Sequence, residues 1–186
     1  MKPEITALLP AFNAGDARAR DQIVSHLYAT MHELAAAQLR AEYGPRTLSA
    51  TELVNECFLR LFGAARLPEI VDRQHMLGLA ARTMRHVLID AARQRQARWR
   101  QGLAQPVTLT RISEELPIDE QPEALDQALD TLERLDPRQA RIVELRFFVG
   151  LSQEETAQVL DVSVRTVQRE WRIAKAWLLR ELDSAD

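Results

Sequence analysis

Residues 151–171 read LSQEETAQVLDVSVRTVQREW, and their pattern decides the architecture of the C-terminal third of the chain. Ser152 opens a short helix running to about Leu160, with Thr156, Ala157 and Leu160 facing inward. Ala157 is small, as required where a second helix crosses closely. Asp161-Val162 makes the turn, and Asp is one of the few residues other than Gly that tolerates a left-handed backbone. Ser163 then caps a longer helix whose apolar stripe is Val164, Val167, Trp171 and Ala174. Arg165, Thr166, Gln168, Arg169 and Arg172 are the residues expected to meet DNA. This pattern predicts a helix-turn-helix whose second helix offers donors to base edges and phosphates in a major groove. The alternative is an ordinary helical hairpin with a basic solvated face, but the capped turn, the small crossing residue and the clustered arginines favour DNA. Trp171 and Trp177 lie on the apolar stripe, which predicts core positions rather than base stacking.

Working outward, Asp136-Pro137 reads as an N-cap followed by proline at the first helical position, opening a helix that runs to Phe148 and stops at Gly150. Before it, Leu125, Leu129, Leu132 and Leu135 mark another helix. Residues 101–122 differ in character: Pro106, Pro117 and Pro122 punctuate them, Glu114, Glu115, Asp119 and Glu120 make them acidic, and the β-like Val107-Thr108-Leu109 does not amount to a sheet. This segment predicts an acidic linker, with an N-terminal domain over 1–100 and a C-terminal domain over 123–186. The acidic run from Glu114 to Glu123 is also a candidate to lie against arginine-rich surfaces and draw the two domains together.

In the N-terminal part, Ile5, Leu8, Leu9 and Phe12 share one stripe, ended by Asn13-Ala14-Gly15. Asp16 caps a second helix carrying Ile23, Leu27, Met31, Leu34 and Leu39, which Tyr43-Gly44-Pro45 breaks. Ser49-Ala50-Thr51-Glu52 has the spacing of a capping box, in which each side chain serves the other's backbone amide. The helix that follows carries Leu53, Val54, Cys57, Phe58, Leu61 and Phe62. A long helix is expected from about Arg73 to Arg95, with Leu77, Ala80, Ala81, Met84, Leu88 and Ala91 inward. The whole is expected to be all-α: two small helical domains joined by a flexible linker, the second containing the helix-turn-helix.

Composition sets outer limits. The 186 residues carry a formal net charge of −3, so a nucleic-acid role must rest on local basic faces rather than on overall charge. Cys57 is the single cysteine, which excludes an internal disulfide and suits a reducing, cytoplasmic setting. Neither a signal peptide nor an apolar run of about 20 residues is evident, so no membrane association is expected. His26, His32, His75 and His86 lack metal-ligand spacing, and His32-Glu33 is not followed by the second histidine of a zinc protease. With neither a Gly-rich phosphate loop nor a nucleophile beside a base, no enzyme, metal or cofactor is expected.

Three stretches, DPRQARIVELRF at 136–147, GLSQEETA at 150–157 and SVRTV at 163–167, resemble the promoter-reading C-terminal domain of extracytoplasmic-function (ECF) sigma factors. ELVNECFLRLF at 52–62 resembles the helix that such factors set against the polymerase clamp, and AARTMRHVLIDAAR at 80–93 their promoter-melting helix. The resemblance implies a cytoplasmic alternative sigma factor whose partners are RNA polymerase core, at its clamp and flap regions, and promoter DNA. It places Glu52, Leu53, Val54, Asn55, Glu56, Phe58, Leu59, Arg60 and Phe62 toward the clamp, with Leu53, Phe58 and Leu61 also serving the core. It places Arg82, Arg85, His86, Arg93, Arg95 and Arg98 toward the downstream promoter element, with Trp99 interleaved, and the loop from about Leu67 to His75 where a flipped base is captured. The chain departs from the family in having His75-Met76 where many relatives carry a tryptophan. Glu170 stands where a basic residue is common, and it is expected either to reduce the local field or to pair with an arginine one turn away.

A second departure bears on regulation. Relatives commonly open the clamp-binding helix with Asp-Ala-Glu-Asp, where this chain has Ser49-Ala50-Thr51-Glu52, so hydroxyls replace two carboxylates. Phosphate on Thr51 would restore about −1.5 to −2 charges in the first turn of a helix, where free amides favour an anion. A Ser/Thr kinase acting on Thr51 is one reading of this departure; the other is that Ser49 caps, Thr51 is an ordinary first-turn residue and core affinity is recovered elsewhere. An anti-sigma factor is the alternative regulatory partner. A conventional helix-turn-helix regulator is the other reading of the terminal motif, but it calls for an alternating strand–helix receiver domain that this chain lacks.

Overall fold

The computed structural model describes residues 4–39, 48–63, 70–103, 116–118 and 120–184, apart from the side chains of Glu4, Ala37, Gln38 and Arg73. The expected break at Tyr43-Gly44-Pro45 lies outside these residues, as do residues 67–69 of the 67–75 loop and the linker residues Pro106, Val107, Thr108, Leu109, Glu114, Glu115 and Asp119. Every regular element among the described residues is helical. The elements are α1 (Glu4–Asn13), α2 (Ala17–Leu39), α3 (Ala50–Phe62), α4 (Arg73–Arg100), α5 (Pro122–Leu135), α6 (Pro137–Val143), a π-helical turn (Glu144–Phe148), α7 (Gln153–Leu160) and α8 (Val164–Asp183).

Local chemistry sets the helix starts. Asp16 accepts from the amides of Arg18 and Ala19 at 2.7 and 2.9 Å. Ser49 and Glu52 close the reciprocal capping box expected of them, at 3.2 and 2.7 Å. Asp72 caps α4 on the His75 amide, and Asp136 caps α6 on the amides of Arg138 and Gln139. Each bond satisfies an amide that the first turn of a helix leaves without a partner. α4 runs five residues beyond the expected Arg95, to Arg100. The region from 137 to 148 is not one α-helix: after Val143 it widens into a π turn, in which Val149 donates to Glu144 at 3.1 Å.

α1 to α4 pack around Ile5, Ile23, Leu27, Leu53, Val54, Cys57 and Met84, and α5 to α8 around Leu129, Phe148, Val167, Ala174 and Leu178. Asn13 closes a pair of hydrogen bonds with the backbone of Ile70, fixing the entry to α4 against the end of α1. The two groups of helices meet where α4 lies against α5 and the π turn, and the buried side chains form one continuous cluster. Among the described residues no helix is long and apolar enough to cross a membrane.

Candidate nucleic-acid and polymerase interfaces

α7, the turn and α8 bring one set of candidate residues together. Ser152 caps α7 reciprocally with Glu155, and Ser163 caps α8 on the Thr166 amide at 3.1 Å. Asp161 takes the left-handed conformation, φ 52° and ψ 48°, so the chain reverses in three residues. Thr156, Ala157, Val167, Trp171 and Ala174 are buried between the helices, while Val164 and Leu160 are half-buried. Arg165, Gln168, Arg169 and Arg172 are exposed on the opposite side of α8, with Thr166 half-buried at its start. Gln168 is oriented by α7, its Nε2 donating to Gln153 Oε1 at 2.7 Å.

Glu170 differs from expectation. It is buried, and its principal partner is not an arginine one turn away on the same helix. Arg138 of α6 grips both of its oxygens, with Arg169 a more distant 3.3 Å away. Arg138 is thereby held above the ordinary guanidinium value, by its hydrogen bonds to Glu170 and by that carboxylate's charge. The carboxylate thus ties α6 to α8 instead of facing the basic surface. Trp171 is buried under Arg146 of the π turn, whose guanidinium stands 4.6 Å from the ring centroid.

The second set lies on α3. Leu59 is 66% exposed, and with Val24, Asn55, Phe58 and Phe62 it lines a shallow groove between α2 and α3. Asn55 accepts from Tyr28 at 3.1 Å, and Tyr28, Phe58 and Phe62 form a run of stacked and tilted rings. Val54 is fully buried and does not reach this surface. Arg60 bonds Glu56 and, across to α4, Asp90, both at 2.9 Å. Glu52 is exposed, and the Ser49 amide that it accepts holds its carboxyl below the ordinary value. Thr51 is exposed beside α2, with its hydroxyl 3.3 Å from His32 Nε2.

The third set, on α4, is divided. Arg98 and Trp99 are exposed and Arg95 is half-buried. Arg82, Arg85 and Arg93 are engaged by carboxylates of α5. Arg85 is fully buried, and its Nη2 bonds Asp126 Oδ1, Asp126 O and Asp130 Oδ1 at 2.6, 2.8 and 2.7 Å. Arg93 bonds Asp126 and Asp90 at 2.9 Å each, and Arg82 bonds Glu133 at 2.9 Å. Burial by itself would pull Arg85 below the ordinary guanidinium value, but the hydrogen bonds and charges of Asp130 and Asp126 outweigh it and leave the group raised. Burial likewise pushes Asp126 up, yet Arg85 and Arg93 together hold it below the usual carboxylate range. Glu144, on the π turn, is raised by burial despite Arg141 and Arg85 beside it. His86 is lowered by burial and by the Arg85 charge.

Asp126, Asp130, Glu144 and Arg141 were not among the residues singled out from sequence. The signal that could have found α5 is the spacing of Glu123, Asp126, Asp130 and Glu133, which sets four carboxylates on one side of a helix whose other side is leucine. Among the described residues no group of three or more histidines, cysteines or carboxylates is placed to hold a metal.

A family model described as ECF sigma factor matches residues 2–184. The chain belongs to the ECF sigma factor family, and with it to the alternative sigma factors that direct transcription. It is similar to RNA polymerase sigma-E factor of Streptomyces avermitilis, at 31% identity over 144 residues, covering 76% of this chain and 75% of the relative. The sigma-E factor of Streptomyces coelicolor is 31% identical over 144 residues, with 76% of each chain covered, and that of Streptomyces antibioticus is 30% identical over the same length. No solved structure matches the chain significantly.

Proposed function

We propose that this protein binds RNA polymerase core through the exposed edge of α3 and reads promoter DNA with α8 and α4, so that transcription starts at promoters of its choosing. The observation that carries the reading is the capped α7–turn–α8 unit. It buries Val167, Trp171 and Ala174 on one side and presents Arg165, Gln168, Arg169 and Arg172 on the other. Guanidinium and amide groups on one exposed helix face suit base-edge and phosphate contacts. The polymerase supplies the chemistry, and the protein contributes recognition and strand separation. In this reading residues 1–100 form the core-binding and melting domain, 101–122 the linker and 123–186 the upstream-reading domain. The groove beside Leu59 and Phe62 supports the clamp contact, because an exposed leucine rimmed by polar groups suits a partner helix.

The test is promoter-directed transcription by polymerase core reconstituted with the Arg165→Ala/Arg169→Ala double variant. Each lost base contact costs about 1–3 kcal/mol of recognition, while core binding is unchanged. Wild-type promoter output from the double variant removes α8 from the reading.

Control by phosphorylation at Thr51 is part of the same proposal. Thr51 is exposed in the first turn of α3, Ser49 is occupied in the capping box, and His32 stands within reach of a phosphate. Added anionic charge there would steer docking onto a basic partner surface. Thr51→Ala should bind core polymerase more weakly than Thr51→Glu and give less promoter output in cells. Full activity of Thr51→Ala under inducing conditions excludes the switch.

A further inference from the structure

We propose that Trp99, in the last turn of α4, is a stacking platform for an unpaired base of the separated promoter strands, with the arginines around it engaging that strand's phosphates. The proposal rests on the reading of α4 as a promoter-binding helix and adds to it a site for single-stranded rather than duplex DNA.

Trp99 is 53% exposed, whereas Trp171 is buried and Trp177 half-buried. Among the described residues neither a ring nor a guanidinium covers the face of Trp99, while Arg146 lies over that of Trp171. An indole left open to water is a large apolar surface awaiting a partner. Its surroundings say of what kind. Residues 91–103 carry Arg93, Arg95, Arg98 and Arg100 and no carboxylate. Arg95 stands one turn before Trp99 on the same side of the helix, and the exposed Arg98 and Arg100 flank it. Arg82, Arg85 and Arg93 are engaged by carboxylates, but Arg98 and Arg100 meet none among the described residues. That charge suits a polyanion and opposes a basic protein surface.

The turn that carries Trp99 is closed at its end. Gly102, at φ 70°, donates its amide to the Trp99 carbonyl at 2.9 Å, and Leu103 donates to the Arg98 carbonyl at 3.0 Å. This paired closure on a left-handed glycine satisfies carbonyls that a helix end otherwise leaves open. Trp99 therefore stands on an ordered backbone, and a base that stacks on it has little further chain to order. In a duplex both faces of each base are already covered by neighbouring pairs. Only an unpaired base offers a face to the indole, and arginines beside it hold the backbone of such a strand. Arginines at a helix C-terminus also complement its dipole, which accounts for Arg98 and Arg100 by themselves. It does not account for an exposed indole between them.

The experiment is a titration of the full chain, without polymerase, with labelled oligothymidine of about 15 nucleotides at low salt, read by strand anisotropy and by tryptophan emission. Wild type should bind saturably with its emission quenched. Trp99→Phe should keep the affinity within about threefold and lose most of the quenching, since a smaller ring still stacks. Trp99→Leu keeps apolar bulk and a good helix former but has no π face. It should bind the strand at least about fivefold more weakly with its salt dependence unchanged, whereas Arg98→Ala should flatten that dependence. On a duplex of equal length Trp99→Leu should stay within about twofold of wild type, because phosphate contacts carry that binding. Should Trp99→Leu lose helical circular dichroism, the quenching of Trp99→Phe decides alone. No saturable binding or quenching by wild type, undiminished quenching in Trp99→Phe, or wild-type strand affinity in Trp99→Leu overturns the proposal. An equal loss on strand and duplex does so too, as does a loss confined to polymerase core, which marks the indole as a protein contact. Failure of the underlying reading shows elsewhere: wild-type protein with polymerase core then gives no promoter-directed transcript.

Discussion

Cys57 illustrates how burial decides what a side chain does. It lies in the core of α1 to α4, and burial pushes its thiol up to about 12, with Arg60 pulling down and Glu56 adding to the rise. The thiolate is the reactive form, so the native protein should resist alkylation at pH 8 and react rapidly in denaturant. Iodoacetamide labelling followed by mass spectrometry checks this; rapid labelling of the native chain contradicts it. Its burial was legible from its apolar neighbours on a helix. The burial of Arg85 was not, because nothing local to RTMRHV announces three carboxylates from 41, 45 and 59 residues along the chain. Glu170 is a similar case, since sequence shows a charge on α8 while the partner that buries it stands 32 residues earlier.

Among elements, the helix starts were the most legible features, since capping is a bond between residues two or three apart. Ser49, Asp136 and Ser163 cap where their spacing places them. Ser152→Ala should therefore cost about 1 kcal/mol of stability, read from the urea midpoint. Asp161 holds the reversal between α7 and α8 in a left-handed conformation, which β-branched residues adopt poorly. Asp161→Val should destabilise by about 1–3 kcal/mol and loosen DNA recognition in parallel. An unchanged midpoint for Asp161→Val means the turn relaxes without cost. The π turn at Glu144–Phe148 escaped the sequence reading for a physical reason. An inserted backbone step keeps helical composition and shifts only which side chains face α4 and which face α8.

Across the whole molecule, helical content followed from periodicity, but the joining of its parts did not. The acidic run from Glu114 to Glu123 suggested carboxylates near arginines; among the described residues, the carboxylates that meet the arginines of α4 include Glu123, Asp126, Asp130 and Glu133 of α5. α4 and α5 are joined by ion pairs as well as by buried apolar side chains, and the exposed ion pairs should respond to ionic strength, because screening at high salt acts over a few ångströms. Small-angle scattering of wild type should show a larger radius at high salt than at low salt, and identical profiles contradict closure by charge. Asp126 adds an acid limit. Its carboxyl is held below the usual range, so its contribution is present above the unfolded value and is lost as pH falls through the folded value. Glu144 has the opposite sign, because burial raises it and ionising it opposes the folded state as pH rises.

The most direct test of the central claim is run-off transcription with purified polymerase core on fragments of the source genome, with and without this protein. The account predicts discrete transcripts that require its addition, begin downstream of a shared pair of sequence elements, and disappear with Arg165→Ala/Arg169→Ala. Transcripts independent of the protein, or a protein that does not co-elute with core, contradict it.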